Sequence, residues 1–292
     1  MLNFCHISPT PHLTDFCGQQ THHLLLAHLV ESDEQYRKWY GSKISGSTYI
    51  LDNSAFEMYK QGRDMYPSDK LIEMGKHVRA DYIVMSDYPN EHSSKTIEAA
   101  CDLAPKFRDA GFGTFFVPQS RIGDLEDYIA AFAWAASSPH VDYIGVSILG
   151  VPNAYGVEKG NKLQRFFSRW HMMSELDKRG ILTLCEINKK KIHFLGMVDG
   201  PNEVQLCYPY FKIDTWDSSA AVWAGLNGIA FDKSPTGLID GKFEEEVDFN
   251  HYCSDIDKVV LARENCRYIN NLAKTNSPTL GDIFQALSKA KV

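Results

Sequence analysis

The sequence predicts an α/β fold, a (β/α)8 TIM-like barrel with a C-terminal helical extension. Three observations lead there: eight short apolar runs rich in β-branched and aromatic residues, helix-like stretches between them, and 292 residues with no low-complexity block. The runs lack strict polar–apolar alternation, as strands covered on both faces should. Strand–helix alternation implies parallel strands joined by right-handed crossovers. An open doubly wound sheet is the alternative arrangement of the same units.

In chain order, strands are expected at HLLLAHL (23–29), STYILD (47–52), DYIVMSD (81–87), GTFFVP (113–118), DYIGVSI (142–148), IHFLGM (192–197), FKIDTW (211–216) and GIAFD (228–232). Between them, PSDKLIEMGKHV opens with a Pro-Ser helix-start signal. SSKTIEAACDLAPKFRDAG reads as a helix ending on Gly111 despite Pro105 inside it. IGDLEDYIAAFAWAAS and KLQRFFSRWHMMSELDKRG carry apolar faces at helical spacing, the second ending on Gly180. After Asp232 the chain reads as loop, then as helices in CSDIDKVVLARENCRYINNLAK and LGDIFQALSKA. The expected organisation is a single domain over residues 1–292, with the barrel at about 20–235 and the helical tail at about 250–292.

A net charge of −7 argues against a dedicated, strongly basic nucleic-acid binder but leaves room for a local basic rim. The best candidate rim is INKKKIH, with Lys189, Lys190 and Lys191; alone, it reads more simply as a solvated loop. The seven cysteines (5, 17, 101, 185, 207, 253, 266) are scattered and form no Cys-x-x-Cys pair. The N-terminal MLNFCHISPTPHL has no basic stretch, and no segment approaches the ~18 apolar residues of a membrane span. A reduced, cytoplasmic, soluble protein is expected.

Active sites of such barrels lie at the C-terminal ends of the strands. The residues expected there are Asp52-Asn53-Ser54, Ser86-Asp87-Tyr88, Pro118-Gln119-Ser120, Gly145 to Gly150, Gly196 and Asp217-Ser218. Taken singly, Asp52 reads as an Asx-turn residue, Asp87 as the cap of the following helix and Phe56 as core. Three aspartates in equivalent positions, together with Gln119, are more than turn chemistry requires. Asp214, in the same run as Asp217, is assigned to structure. Trp216 and Trp223 read as core or as flanks of a nucleic acid.

Six segments, in order, resemble motifs of the tRNA-guanine transglycosylase superfamily, most closely its phage branch that places 7-deazaguanine bases in DNA. ILDNSAFE is similar to Asp-Ser-Gly-Gly-Phe/Tyr-Gln, IVMSDYPNE to Phe-Asp-Glu-Cys, and FFVPQS to Ile-Val-Gln-Gly-Gly. IGVSILG shares the glycine frame of Ile-Gly-Gly-Leu-Ala-Val-Gly. HFLGMVDGP resembles Tyr-Leu-Met-Gly-Val-Gly-x-Pro, and IDTWDSS resembles Ile-Asp-Met-Phe-Asp-Cys-Val. The resemblance implies a base-exchange enzyme, a pentosyltransferase-type glycosyltransferase. Asp217 would be the nucleophile and Asp52 the general base. Asp87 and Gln119 would read the purine edge, and Phe56 and Leu195 would stack on its faces. Gly145, Val146, Ser147 and Gly196 would complete the pocket.

The chain departs from that pattern in three places. It lacks the Cys-x-Cys-x-x-Cys…His zinc site of the tRNA enzymes, and Pro-Thr-Arg after the nucleophile is replaced by SSAAVW. Gly-Gly has become Ser54-Ala55. The expected partners are therefore DNA, with tRNA as the alternative, and a 7-deazaguanine base. No cofactor, metal or membrane is expected, and a homodimer is left open. Lys189, Lys190, Lys191, Arg121 and Lys159 are the candidate phosphate contacts, and a phage-encoded enzyme would work in the host cytoplasm. The competing functions are a tRNA enzyme without its zinc subdomain, a non-catalytic nucleic-acid-binding subunit, and a nucleoside or glycoside hydrolase.

The chemistry suits the residues. Breaking an N-glycosidic bond passes through an oxocarbenium-like state, and a carboxylate can trap the sugar carbon and divide the exchange into two easier steps. A carboxylate accepts from the adjacent N–H donors of a guanine-type base, and a glutamine donates to its carbonyl.

Overall fold

A computed structural model describes residues 2–158, 160–198, 200–231 and 246–274. Eight strands form one parallel sheet: β1 (Asn3–His6), β2 (His22–Leu26), β3 (Thr48–Asp52), β4 (Tyr82–Val84), β5 (Gly113–Phe116), β6 (Tyr143–Ser147), β7 (Lys191–Leu195) and β8 (Thr215–Ser218). Their spatial order is β1-β8-β7-β6-β5-β4-β3-β2, so the sheet curls until its first and second strands stand at the two ends of the ladder. The expected (β/α)8 barrel is therefore present.

The seam between β1 and β2 carries no backbone ladder. A side chain bridges it instead. Gln20 accepts from the His6 amide (2.7 Å) and donates to the His6 carbonyl (3.1 Å), standing in for a strand neighbour.

Two strand expectations are corrected. GIAFD contributes no strand among its described residues, which follow the helix Ala220–Leu226. The missing strand is Asn3–His6, so the barrel begins well before residue 20 and its last strand ends at Ser218. HLLLAHL turns helical at Ala27, and FKIDTW becomes strand only at Thr215. Just before it, Asp214 accepts from the Ile192 amide (2.8 Å), the structural role expected of it.

The helices are α1 (Leu13–Phe16), α2 (Ala27–Ser32), α3 (Glu34–Gly41), α4 (Ala55–Gln61), α5 (Ser68–Val78), α6 (Ser93–Asp109), α7 (Leu125–Ser137), α8 (Gly150–Ala154), α9 (Lys162–Lys178), α10 (Ile181–Ile187), α11 (Pro201–Cys207), α12 (Ala220–Leu226) and α13 (Ile256–Leu272). Local chemistry fixes their starts. Asp33, Asp124, Asn161 and Asp255 each accept from first-turn amides of α3, α7, α9 and α13. Helix α6 runs through Pro105. Helix α13 is the expected C-terminal helix, packed so closely on α12 that a Cβ on Gly225 would lie 2.2 Å from the Ala262 Cα. The second tail helix, LGDIFQALSKA, lies outside the described residues, as does Lys159. Among the described residues no helix is long and apolar enough to cross a membrane. None of the seven cysteines forms a disulfide.

The barrel interior is filled in layers. At its N-terminal end the Tyr82 and Tyr143 rings meet at 4.8 Å, with the Lys191 ammonium over both (5.2 and 4.9 Å). One layer up, Phe115 packs on Tyr143 (5.5 Å) and His193 (5.3 Å). Gly145 leaves room for this layer, because a Cβ there would lie 2.6 Å from the Phe115 ring and 2.9 Å from Leu195.

Outside the ladder, the fully buried Arg169 of α9 ties several elements together. Its guanidinium pairs with buried Glu203 of α11 (2.7 Å) and donates to the carbonyls of Val146 (3.1 Å), Leu195 (2.9 Å) and Gly196 (2.8 Å). It also faces the Phe194 and Trp216 rings at 4.7 and 5.2 Å. Removing one member of a buried pair leaves an uncompensated charge. Arg169→Met is expected to cost about 3–5 kcal/mol of stability. Arg169→Met combined with Glu203→Leu should recover much of the loss in chemical denaturation. A single variant as stable as the parent would end this account.

Candidate active site

All the candidate carboxylates lie at the C-terminal ends of the strands. Asp52 ends β3, opposite Leu26 of β2. Asp87 follows β4, and Asp217 lies within β8, in register with Cys5 of β1.

Asp87 is buried, and both of its oxygens are engaged. Oδ1 accepts from Asn53 Nδ2 (2.8 Å) and Oδ2 from Gln119 Nε2 (2.6 Å). Asn53 also donates to the Met85 carbonyl (2.7 Å), and its Oδ1 accepts from the Ala55 amide (2.9 Å). These contacts join the ends of β3, β4 and β5 in one polar cluster. Burial pushes the Asp87 carboxyl up to about 6, against the lowering effect of the Asn53 and Gln119 hydrogen bonds.

Asp52 reaches backward to accept from the Ser54 amide (2.9 Å). Ser54 sits in the left-handed region (φ 55°), a conformation costing a non-glycine residue about 1–2 kcal/mol. Its hydroxyl is held by the His28 amide (3.1 Å) and by His28 Nδ1 (2.9 Å). Ser54 thus holds this left-handed turn with a side-chain hydrogen bond. Burial, and then the charges of Glu57, Asp87 and Asp217, push the Asp52 carboxyl well above the usual carboxylate range. Burial lowers the nearby His28 to about 4, so that imidazole is neutral at physiological pH.

Asp217 is 5% exposed. Its Oδ1 accepts from His193 Nε2 (2.8 Å) and from the Gly196 amide (3.3 Å). Among the described residues Oδ2 makes no hydrogen bond. Gly196 takes a positive φ (71°), and its carbonyl accepts from Trp216 Nε1 (2.7 Å) as well as from Arg169.

The other expected pocket residues divide. Ser147 and half-buried Leu195 are register partners at the ends of β6 and β7. The Ser147 hydroxyl accepts from the Leu149 and Gly150 amides (both 3.1 Å), which opens α8. Gly145 lies one layer deeper. Val146 is fully buried, and its carbonyl is taken up by Arg169 rather than presented to the mouth. Phe56, on the first turn of α4, is 47% exposed at the edge of the mouth. Trp216 and Trp223 are both core residues.

The lysine rim is a correction. Lys189, Lys190 and Lys191 stand at the N-terminal end of β7, a strand's length of roughly 13 Å below the carboxylates. Lys190 is spent on the carbonyls of Ser138 and Val141 (both 2.6 Å), and Lys191 points into the barrel floor. The cluster IHF that follows the lysines is a buried strand, so the basic run marks its start and cannot border the mouth. Arg121, two residues beyond Gln119, is exposed on the mouth side.

The sequence gives no role to His193, His28 or Glu57, and none to Asn53 and Ser54 beyond their place at the end of β3. Asn53 and Ser54 directly follow Asp52. His193 stands two residues before Leu195, and the two-residue strand period points it at the same interior. Among the described residues no three His, Cys, Asp or Glu side chains are grouped to hold a metal ion. No protein-family model matches the chain, and no curated protein is significantly similar to it.

Proposed function

We propose that the protein is a base-exchange transglycosylase that replaces guanine in DNA by a 7-deazaguanine derivative through an Asp217-glycosyl intermediate. The observation that carries this reading is the division of labour among the three carboxylates. Asp217 presents an oxygen with no hydrogen bond among the described residues, burial and neighbouring carboxylates push Asp52 toward its protonated form, and Asp87 sits between two amide side chains. In the reaction, Asp217 Oδ2 forms a bond to the sugar C1′ as the C1′–N9 bond breaks. The electron pair of that bond leaves on N9 of the guanine, and the proton held by Asp52 neutralises it. The incoming base then gives a proton back to Asp52 as its nitrogen attacks C1′ and releases Asp217.

Asp87 accepts from the amidine N–H groups of the bound base. Gln119 and Asn53 hold it in place, and the second amide proton of Gln119 is available to the base carbonyl. Asp87→Ala is expected to weaken binding of a free 7-deazaguanine by about 1.5–3 kcal/mol in calorimetry. Because the base needs the ionised form, affinity in the wild-type protein should fall as pH drops through about 6. Stability runs the other way. A raised carboxyl binds protons more tightly in the folded state, so its contribution declines as pH rises from the ordinary carboxylate range toward about 6. Affinity independent of pH from 5 to 8 would remove Asp87 from base recognition.

DNA is preferred to tRNA because the residues after Asp217 are small and lead straight into α12, whose side chains face the core and α13. The test incubates the protein with labelled guanine or a 7-deazaguanine and either duplex DNA, single-stranded DNA or bulk tRNA. Incorporation into DNA supports the proposal. Incorporation into tRNA alone would reassign the polymer, and release of free base without incorporation would reassign the chain to the hydrolases.

A further inference from the structure

We infer that His193 is the positioning residue of the nucleophile: it locks one oxygen of Asp217 so that the other faces the sugar. The inference rests on the base-exchange reading for its effect on rate, though not for its geometry.

His193 lies inside the barrel with no exposed surface. Its position in β7 is in register with Gly145 on one side and Thr215 on the other. The strand period that points Thr215 inward also points Asp217 inward, one layer nearer the mouth. The imidazole spans the two layers. Nε2 lies 2.8 Å from Asp217 Oδ1, and Nδ1 lies 2.6 Å from Thr215 Oγ1. The Phe115 ring meets its face edge-on at 5.3 Å. Absence of a Cβ on Gly145 gives Phe115 that place.

The partners assign the tautomer. An ionised carboxylate only accepts, so Nε2 carries the proton, and the Thr215 hydroxyl can donate to Nδ1. The ring is then satisfied on both sides. A leucine would fill this layer with no hydrogen-bonding demand at all. The imidazole is the group that adds a fixed donor beneath the carboxylate. Together with the Gly196 amide it places two donors on Oδ1, which fixes the rotation of the carboxylate plane. Oδ2 is left as the attacking atom. Angular freedom in a nucleophile is costly, since a misplacement of about 1 Å can slow a reaction about 10²-fold.

Variants of His193, compared with wild type in rate and base affinity, and a nitrogen spectrum test the inference. His193→Phe retains an aromatic ring but loses the donor. His193→Gln returns an N–H near the position of Nε2 and an acceptor toward Thr215. The first measurement is the single-turnover rate of covalent adduct formation with guanine-containing DNA, alongside calorimetric affinity for the free base. The expected result is a rate about 10²-fold lower in His193→Phe, with base affinity unchanged and much of the rate recovered in His193→Gln. Equal rates in wild type and His193→Phe would overturn the inference. So would equal losses in both variants, which is the behaviour of a purely structural residue. The second measurement is the imidazole nitrogen spectrum of histidine-labelled protein. The expected species is the neutral Nε2–H tautomer, perturbed by Asp217→Ala; an Nδ1–H tautomer overturns the inference whatever the activity. A wild-type protein that forms no adduct on any polymer overturns the base-exchange reading and the rate effect with it, while the spectrum still decides the hydrogen bond.

Discussion

Asp217→Ala is expected to abolish covalent capture of the polymer, a loss on the order of the 10⁶-fold seen when an enzyme's nucleophile is removed. No other carboxylate at the mouth can substitute. Asp87 is held by Asn53 and Gln119 for the base edge, and burial with the neighbouring carboxylates pushes Asp52 toward its protonated form, the form of a proton donor rather than a nucleophile. The variant should remain folded, because the truncation removes a side chain at the mouth end of the interior. It leaves His193 Nε2 without its acceptor, at a cost of about 1–3 kcal/mol. Asp217→Asn removes the negative charge while keeping an acceptor for His193, and it separates loss of chemistry from loss of fit. Denaturing gels after incubation with DNA and a 7-deazaguanine should show the adduct only for the parent protein. An adduct in both variants would move the nucleophile elsewhere.

Asp52→Asn is expected to slow exchange by about 10²–10⁴-fold without loss of base affinity, the range for removal of a general acid–base group. The amide oxygen can still accept from the Ser54 amide, so the left-handed turn at Ser54 is kept. The variant also carries a signature in pH. Asp52 must be protonated to deliver a proton to N9, so the parent rate should decline at the alkaline side of the raised Asp52 value. That limb should vanish in the variant. The sign follows from the direction of the shift: burial and the neighbouring Glu57, Asp87 and Asp217 charges all favour the protonated form. An unchanged rate and an unchanged alkaline limb would remove Asp52 from proton transfer.

Much of this architecture could be read from the order of apolar runs. Six of the expected strands hold their places from β2 to β7, because buried parallel strands concentrate β-branched and aromatic residues in short blocks. The two ends of the barrel are where reading failed. Asn3–His6 spans only four residues and includes an asparagine and a histidine, so its strand character comes from pairing with β8 rather than from composition. GIAFD has the right composition for a strand, but its described residues follow α12 outside the ladder, whose eight places are filled by β1 to β8. The carboxylates were legible because a strand's C-terminal end is fixed by the strand itself. The lysines were misread for the same geometric reason: a basic run before a strand marks the far end of the barrel. His193 was hidden by its neighbours, since a histidine inside an apolar run signals nothing until the layer opposite it is known.

The seam held by Gln20 has a consequence for how the chain is made. Among the described residues the only backbone ladder of β1 is to β8, and the Asn3–Asp214 contact spans 211 residues. At about 5–20 residues per second of synthesis, Asn3 leaves the ribosome roughly ten to forty seconds before its partner exists. Late in that interval, once β7 has been made and before β8 follows it, β7 also presents an unpaired edge, the kind of edge that recruits another chain. An incomplete product ending before Thr215 would keep both edges open. Gln20 is the nearest available remedy, because its side chain can hold His6 beside β2 before β8 is made. The sheet's first strand in chain order is the last to acquire its ladder neighbour.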